Sequence, residues 1–290
     1  SSAASDVYKR QNYRYIDHQS LSGAIGAEVR GVDLANASDD VWDEIHALYL
    51  DRIALFFPGQ TLNPTALADV VSHFGPVGKY PFSPGLPEEP RVFSLVKEPH
   101  ETKNFGEGWH TDTTYADIPP KATALYSVET PPAGGDTLFA NMYLAYDALS
   151  DGLKETLAGL RAVHSTAVRR GGGRAVGNSY QSVKLSGHDK AVLEAAHPLV
   201  RTHPINGRKV IYVDALHTAR IEGWTDAESQ PLLEYLYQCQ QRPEFTCRYQ
   251  WEPNVLAVWD NCAAQHLAVN DYHGHRREMY RLSITGERPV

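Results

Sequence analysis

The stretch VLAVWDNCAAQHLAVNDYHGHRREMYRLSIT, residues 255–285, decides how the C-terminal part of the chain folds. Its apolar opening at 255–258 predicts a buried strand, and the WDN segment at 259–261 predicts a turn after it. MYRLSIT at 279–285 and the upstream EFTCRYQW at 244–251 predict two more strands. Short strands separated by turns favour a β-sandwich or a jelly roll.

Helices are predicted mainly outside this strand-rich part of the chain. Apolar residues at helical spacing follow Asp39, which we expect to cap a helix, and a second set follows Ser150. Asn63 before Pro64 predicts a helix start, and Thr225 opens a capping-box sequence. The sequence therefore predicts a mainly β fold with flanking helices.

The composition excludes several classes of protein. The chain has 290 residues and a net charge of −8, which no basic stripe offsets, so nucleic acid and membrane surfaces are not expected partners. Its three cysteines, an odd number without close pairing, favour a reducing, cytoplasmic setting. No apolar run approaches the roughly 18 residues of a membrane span. We expect one domain over residues 11–290, after a small polar tail at 1–10.

The stretch RRGGGRAVGNSYQ, residues 169–181, has no periodicity and places three consecutive glycines between cationic residues. Two interpretations stay open. It is either a disordered surface loop or a mobile lid over a site, because long flexible loops are often functional. On the second interpretation the lid would span residues 168–182.

The stretch GEGWHTDTTY, residues 106–115, places His110 and Asp112 two positions apart. If the segment is a strand, its side chains alternate between two faces, so this pair points the same way and could share one ion. An imidazole nitrogen and a carboxylate oxygen suit a divalent metal such as Fe(II). Two ligands alone are too few, and an exposed polar strand face would show the same pattern.

Candidates for a third ligand and an anion clamp lie within the C-terminal stretch. His266 follows the predicted turn, and Arg277 and Arg281 stand four apart on the last predicted strand, hence on one face. A buried guanidinium requires an anion, and two histidines with one carboxylate leave metal positions open for other ligands. Since Arg276 adjoins Arg277, one of the two should face solvent, and the spacing to His266 favours Arg277 as the inward residue.

Four stretches carry a resemblance to a known enzyme family: WHTDTTY, PPAGGDTLFANMYLAYDALS, HPLVRTHPINGRKVIYV and WDNCAAQHLAVNDYHGHRREMYRLSITGERP. In this order, and over residues 21–289, the chain resembles the taurine dioxygenase / 2,4-dichlorophenoxyacetate dioxygenase family. The resemblance implies a double-stranded β-helix (a jelly roll) that uses Fe(II), 2-oxoglutarate and O2. It also implies hydroxylation of a substrate C–H bond with release of succinate and CO2.

The resemblance further implies roles for six residues. These are His110, Asp112 and His266 as iron ligands, Thr137 and Arg277 as contacts of 2-oxoglutarate and its distal carboxylate, and Arg281 as a contact of both co-substrate and anionic substrate. Related halogenases lack the carboxylate ligand, so the presence of Asp112 favours hydroxylation.

The substrate is less well defined by the sequence. Arg281 favours an anion such as a sulfonate, a sulfate ester, an aryloxyalkanoate or another small carboxylate. Where taurine-oxidising members have a histidine-bearing segment, this chain has FGPVGKYPFSP, residues 74–84, with Tyr80 at the position of the histidine. This departure disfavours taurine itself. Tyr80, Phe139 and His217 are candidates for a partly aromatic pocket, with ordinary core or rim packing as the alternative for each.

Two other kinds of protein would fit part of the pattern. One is a jelly-roll metalloenzyme with non-oxidative chemistry, an isomerase or a hydrolase, and the other is a non-catalytic metal- or ligand-binding protein. Neither has a use for a 2-oxoglutarate clamp, so Thr137 and Arg277 argue against both. The family resemblance also implies a homo-oligomer, either a dimer or a tetramer.

Overall fold

The computed structural model describes residues 13–80, 82–168 and 192–290. The expected tail at 1–10 lies outside these residues, and so does the candidate lid at 168–182 apart from Val168. Among the described residues, no helix is long and apolar enough to cross a membrane.

Strands dominate the described part of the chain, and helices flank them. In chain order the strands are β1 (Asp17–Ser20), β2 (Ala27–Arg30), β3 (Ala54–Phe57), β4 (Val77–Gly78), β5 (Phe93–Lys97), β6 (Ala122–Glu129), β7 (Thr137–Asn141), β8 (Arg161–Ser165), β9 (Glu194–Pro198), β10 (Val200–Thr202), β11 (Lys209–Ile211), β12 (Thr218–Ile221), β13 (Thr246–Tyr249), β14 (Leu256–Asp260), β15 (Ala264–Ala268) and β16 (Arg277–Ile284). The helices are α1 (Asp39–Arg52), α2 (Pro64–Ser72), α3 (Met142–Asp147), α4 (Asp151–Leu157) and α5 (Asp226–Gln240), with 3₁₀ helices at Leu34–Asn36 and Pro243–Phe245. The predicted mainly β fold with flanking helices is confirmed.

The largest sheet has eight strands in the order β1-β2-β3-β14-β6-β16-β4, and β5 also pairs with β16. In it β2 and β3 run parallel, and the other pairs are antiparallel. Two smaller antiparallel sheets have the orders β13-β7-β15 and β12-β8-β9, and β10 pairs with β11. Strands that lie side by side are therefore often distant in the sequence, as β6 and β14 are.

The centre of the large sheet is buried on both faces, because its strands alternate apolar side chains between two cores. Along β3, Leu55 and Phe57 contribute to one core, whereas Ala54 and Phe56 contribute to the other. Helices α1 and α2 pack in the first core. Strands β7 and β13 and helix α5 pack in the second core, so the small sheet β13-β7-β15 faces the large one.

Phe56 joins the large sheet to the small sheet β13-β7-β15. Its ring stacks on Tyr249 of β13, with centroids 3.8 Å apart, and meets Phe139 of β7 edge-on at 5.4 Å. Trp251 lies at the same joint, 6.4 Å from Phe56. This aromatic packing fixes the separation of the two sheets between which the candidate site lies.

The predicted helix starts are largely confirmed. Asn63, Ser150 and Thr225 are N-caps whose side chains accept a backbone N–H from the first turn. The predicted cap at Asp39 is wrong by one residue, because Ser38 is the N-cap and Asp39 is the first helical residue. A carboxylate in the first turn is still favourable, since it faces the positive end of the helix dipole.

The predicted turn at 259–261 is shorter than expected. Trp259 and Asp260 continue β14, because they pair with Thr123 and Ala122 of β6. The turn starts at Asn261 and leads directly into β15. The pairing with a strand from the middle of the chain overrides the local turn signal.

We expect Phe56→Ala to lower the free energy of unfolding by about 3–5 kcal/mol, because it removes a fully buried ring and leaves a cavity between two sheets. Denaturant unfolding would measure the change. Ile205→Ala is the matched control, since its side chain is exposed and should alter the free energy by no more than about 0.5 kcal/mol. Similar losses in both variants would contradict the role of Phe56.

Candidate metal centre

A single backbone bridge brings two of the candidate ligands together. The N–H of His110 donates to the carbonyl of His266 (3.0 Å), and the N–H of His266 donates back to the carbonyl of His110 (2.9 Å). His266 lies on β15, whereas His110 lies outside the regular strands. The two imidazole centroids are 4.2 Å apart, so both rings are close enough to contact the same ion.

Asp112 completes the group from a turn rather than from a strand. The expectation of strand geometry for His110 and Asp112 is wrong in detail, because a turn begins at Asp112 and Thr113 has a positive φ of 55°. Asp112 Oδ1 nevertheless lies 3.7 Å from His110 Nε2 and 3.9 Å from His266 Nε2. One ligand atom from each residue falls within 4.8 Å of the other two, and all three side chains are buried. This donor set could hold one divalent ion.

The second oxygen of Asp112 is held by a chain of buried side chains. Arg281 Nη2 donates to Asp112 Oδ2 at 2.9 Å, and Thr123 Oγ1 donates to the same oxygen at 2.5 Å. Asn261 Nδ2 donates to Thr123 Oγ1 (2.9 Å), and Trp259 Nε1 donates to Asn261 Oδ1 (3.1 Å). These bonds to Oδ2 fix the orientation of the Asp112 carboxylate, and Oδ1 is left facing the two histidines.

Metal binding requires a deprotonated carboxylate and neutral imidazoles, and the pKa shifts of Asp112 and His266 are in the direction that favours those forms. Burial alone would raise the pKa of Asp112, but Arg281 and the two histidines hold it well below its usual range. Burial lowers the pKa of His266 to about 3. Burial acts in the same direction on His110, but the adjacent Asp112 outweighs it and raises the pKa of that imidazole. His110 Nδ1 lies 2.9 Å from the carbonyl of Gly108, which leaves Nε2 for an ion.

Thr137 and Arg277 lie together beside Trp251. The indole N–H of Trp251 donates to Thr137 Oγ1 (2.9 Å), so the hydroxyl hydrogen of Thr137 is available to an acceptor. The Arg277 guanidinium carbon lies 5.9 Å from the rings of both Trp251 and Tyr272. Gly135 permits this approach, because a Cβ there would lie 3.3 Å from Arg277 Cδ.

Arg277 is buried with unused donors. It is 6% exposed, and its Nε and Nη2 have no hydrogen-bond partner among the described residues. Arg276, by contrast, points outward and pairs with Glu98, Glu129 and Glu278. The predicted inward direction of Arg277 agrees with this arrangement. A buried guanidinium with free donors calls for an anion.

Arg281 faces an aromatic cluster. Its Nη1 has no hydrogen-bond partner among the described residues, and its guanidinium carbon lies 5.1 Å from the ring centroid of Tyr80. Tyr80 stacks on Phe93 at 5.0 Å, and Phe82 and Tyr115 complete the buried cluster. The structure therefore brings Tyr80 to the cation that we expect to contact the substrate.

His217 and Phe139 lie on opposite sides of the candidate ligands. The His217 ring is 5.7 Å from His110 and 5.2 Å from Tyr115, so it belongs to the wall of the site. Phe139 is fully buried behind His266, with its ring 6.2 Å from that imidazole and 5.4 Å from Trp259. Its position fits core packing, and a direct substrate contact by Phe139 stays a prediction.

Three residues at the site were not predicted from the sequence: Thr123, Asn261 and Trp251. Thr123 contacts the candidate ligand Asp112, Asn261 contacts Thr123, and Trp251 contacts Thr137. None of these residue types is by itself a signal of a metal site, and only the pairing of β6 with β14 brings Thr123 and Asn261 together. The WDN segment at 259–261 gave a partial indication of the role of Asn261, because it placed this polar amide at the end of a buried strand.

Comparison with known proteins places this geometry in a family. Residues 17–283 match the family described as "Taurine catabolism dioxygenase TauD, TfdA family". An alpha-ketoglutarate-dependent sulfate ester dioxygenase of Pseudomonas putida is 35% identical, over 95% of this chain and 91% of that protein. An alkylsulfatase of Acinetobacter baylyi is 34% identical, over 92% of this chain and 84% of that protein. The solved structure of a taurine dioxygenase from Burkholderia xenovorans superimposes with a TM-score of 0.80 at 35% identity, covering 96% of this chain and 93% of that chain.

We expect Thr123→Val to weaken Fe(II) or Mn(II) binding by about 10- to 100-fold, because valine keeps the shape but loses the hydrogen bond that orients Asp112. Anaerobic equilibrium titration would measure the affinity. Thr156→Val is the matched control, since the Thr156 hydroxyl bonds only to the Gly152 carbonyl on an exposed helix. Equal affinities in two folded variants would show that Thr123 does not orient the ligand.

Proposed function

Because the chain belongs to the TauD/TfdA family of 2-oxoglutarate-dependent dioxygenases, we propose that it hydroxylates a C–H bond of a small anionic organic substrate at a site built from His110, Asp112 and His266. The observation that carries this proposal is the combination of that buried donor set with the buried Arg277, whose Nε and Nη2 have no hydrogen-bond partner among the described residues. The family assignment favours this oxidation over the non-oxidative and non-catalytic alternatives.

We also propose a specific type of mainly β fold for the chain. We assign a double-stranded β-helix, or jelly roll, with β6, β14 and β16 in one layer and β7, β13 and β15 in the other. The face-to-face packing through Phe56 and Phe139 supports it. In such a fold the site lies between the two layers, where side chains from both can converge.

The metal ligands would be one nitrogen each from His110 and His266 and Oδ1 of Asp112. When bound, Fe(II) and 2-oxoglutarate supply the activation of O2, with succinate and CO2 as the other products. The residues of the chain orient the ligands, exclude water and keep three positions open. Asp112 is suited to this role because Arg281 and Thr123 hold its other oxygen.

The co-substrate contacts would be Thr137 and Arg277. Trp251 already occupies an acceptor site on the Thr137 hydroxyl, so that hydroxyl donates outward. Arg277 offers two free N–H groups in a planar fork that matches a carboxylate. Together they would bind the distal carboxylate of 2-oxoglutarate in a desolvated place, where a charge-assisted bond is strong.

The substrate would be held by Arg281 and the aromatic cluster beside it. Arg281 Nη1 is free to contact an anionic group, while Tyr80 and Tyr115 offer apolar surface to the body of the substrate. His217 would line the same pocket. Among sulfonates, sulfate esters, aryloxyalkanoates and other carboxylates, we favour sulfate esters, because two relatives at 34–35% identity are named for that chemistry.

Two further expectations stay predictions from the sequence: a cytoplasmic location and a homo-oligomeric state, either a dimer or a tetramer. Light scattering of the purified protein would determine the number of copies in solution.

We expect Arg277→Ala to weaken 2-oxoglutarate binding by about thirtyfold to several thousandfold, since losing one partner of a buried charge pair costs roughly 2–5 kcal/mol. Anaerobic titration of the weak visible band of the Fe(II)–2-oxoglutarate chelate would give the dissociation constant. Arg276→Ala is the matched control, because Arg276 precedes Arg277 but pairs with glutamates on the outer face. An unchanged constant in Arg277→Ala would remove Arg277 from the co-substrate site.

We expect an alkyl sulfate to stimulate succinate formation more strongly than the alcohol with the same alkyl chain, because the alcohol lacks the anion for Arg281. The kcat/KM for the sulfate should be about 10- to 100-fold higher. The assay would run a panel of alkyl sulfates, short sulfonates and phenoxyacids, each with a neutral counterpart. Equal stimulation by charged and neutral members would contradict an anionic substrate. If no member stimulated O2-dependent succinate formation, the proposed substrate classes would all be wrong.

A further inference from the structure

Lys97 stands directly opposite Arg277 in the large sheet. Strand β5 pairs with β16 so that Lys97 faces Arg277, Leu95 faces Met279 and Phe93 faces Arg281. Residues opposite each other in an antiparallel pair project on the same side, with Cβ atoms roughly 4.5–5.5 Å apart. Lys97 therefore points inward with Arg277, and it is only 5% exposed.

The two cations share one aromatic ring and one cavity. Lys97 Nζ lies 3.9 Å from the ring centroid of Tyr272, and the Arg277 guanidinium carbon lies 5.9 Å from the same centroid. Both residues line a cavity together with Asn104 and Phe105. Lys97 Nζ has no hydrogen-bond partner among the described residues, and Arg277 has two free nitrogens.

Neither of the two acidic neighbours forms a hydrogen bond with Lys97 Nζ. Burial lowers the pKa of Lys97, while Glu107 and Glu101, which lines the same cavity, oppose that effect. Glu107 Oε1 already accepts the N–H of Asn104 and the side-chain amide of Asn270, both at 2.6 Å. Two cations placed opposite each other in a sheet repel, and the repulsion grows with burial. An anion lying between them would remove the repulsion and satisfy the free donors of both.

We propose that Lys97 is a second cationic contact for the distal carboxylate of 2-oxoglutarate, on the side of that group opposite Thr137. This inference rests on the proposed function, since it concerns the same co-substrate. A carboxylate has about four acceptor sites, enough for the Thr137 hydroxyl, the fork of Arg277 and one N–H of Lys97. The arrangement makes the pocket selective for 2-oxo diacids over 2-oxo monoacids.

Lys97→Met tests the proposal, because methionine retains the length and apolar stem of the side chain without its charge. We expect the dissociation constant of 2-oxoglutarate to rise about 10- to 100-fold in the Fe(II)-loaded, anaerobic enzyme. The constant of 2-oxopentanoate, which has a methyl group in place of the distal carboxylate, should stay unchanged. Lys209→Met is the matched control: Lys209 is exposed on β11 and does not line this cavity, and its loss should change neither constant.

A second measurement separates ligand binding from a structural role. Without metal and co-substrate, Lys97→Met should unfold at the same temperature as the parent protein or higher, since the substitution removes the repulsion from Arg277. Equal weakening of 2-oxoglutarate and 2-oxopentanoate, an unchanged constant for 2-oxoglutarate, or a lower unfolding temperature would each overturn the role of Lys97. If the parent protein binds no 2-oxoglutarate at all, both this inference and the proposed function fail.

Discussion

The two backbone hydrogen bonds between His110 and His266 are the constraint on which the candidate site depends. They fasten a segment without regular secondary structure to β15, and β15 is held in turn by β7. Because β7 also carries Thr137, the same small sheet positions both the imidazoles and the expected co-substrate contact. Asp112, two residues further on, places its carboxylate beside both rings, and the chain then turns at Thr113, which has a positive φ. A local conformational cost of roughly 1–3 kcal/mol at such a residue is tolerable only where the surrounding structure enforces it.

The opposite wall is set by the alternation of side chains along β16. Arg277, Met279 and Arg281 are buried on one face, while Glu278 and Tyr280 are partly exposed on the other. Period-two geometry thus delivers two cations to the site from one strand and spaces them for two anionic groups. Arg281 is already paired with Asp112, whereas Arg277 has no carboxylate partner among the described residues. Arg281 therefore orients a candidate metal ligand, and Arg277 keeps donors that an added anion could accept.

The parts of the site that could be predicted from sequence are those with unusual chemistry in a recognisable spacing. His110, Asp112, His266 and the inward arginine fall in this class, and so do the helix caps at Asn63 and Thr225. The chain from Trp259 through Asn261 to Thr123 could not be predicted, because it depends on the register between β6 and β14. The strand geometry considered for His110 and Asp112 does not occur, because a two-residue spacing does not distinguish a strand from an isolated bridge followed by a turn. A substrate contact by Phe139 stays a prediction, and the burial of its ring behind His266 could not be read from the sequence, because it depends on the packing of the two sheets.

The unpaired cations in the interior make the stability of the folded enzyme depend on what it binds. A ligand that recognises only the folded chain stabilises it by mass action, by about 1.4 kcal/mol for each tenfold excess over its dissociation constant. A buried guanidinium with free donors is destabilising in the empty protein and favourable in the complex. If Arg277 binds the co-substrate as proposed, the fraction of molecules open to proteolysis falls as 2-oxoglutarate becomes abundant. The resistance of the enzyme to proteolysis would then report the concentration of the metabolite that it consumes.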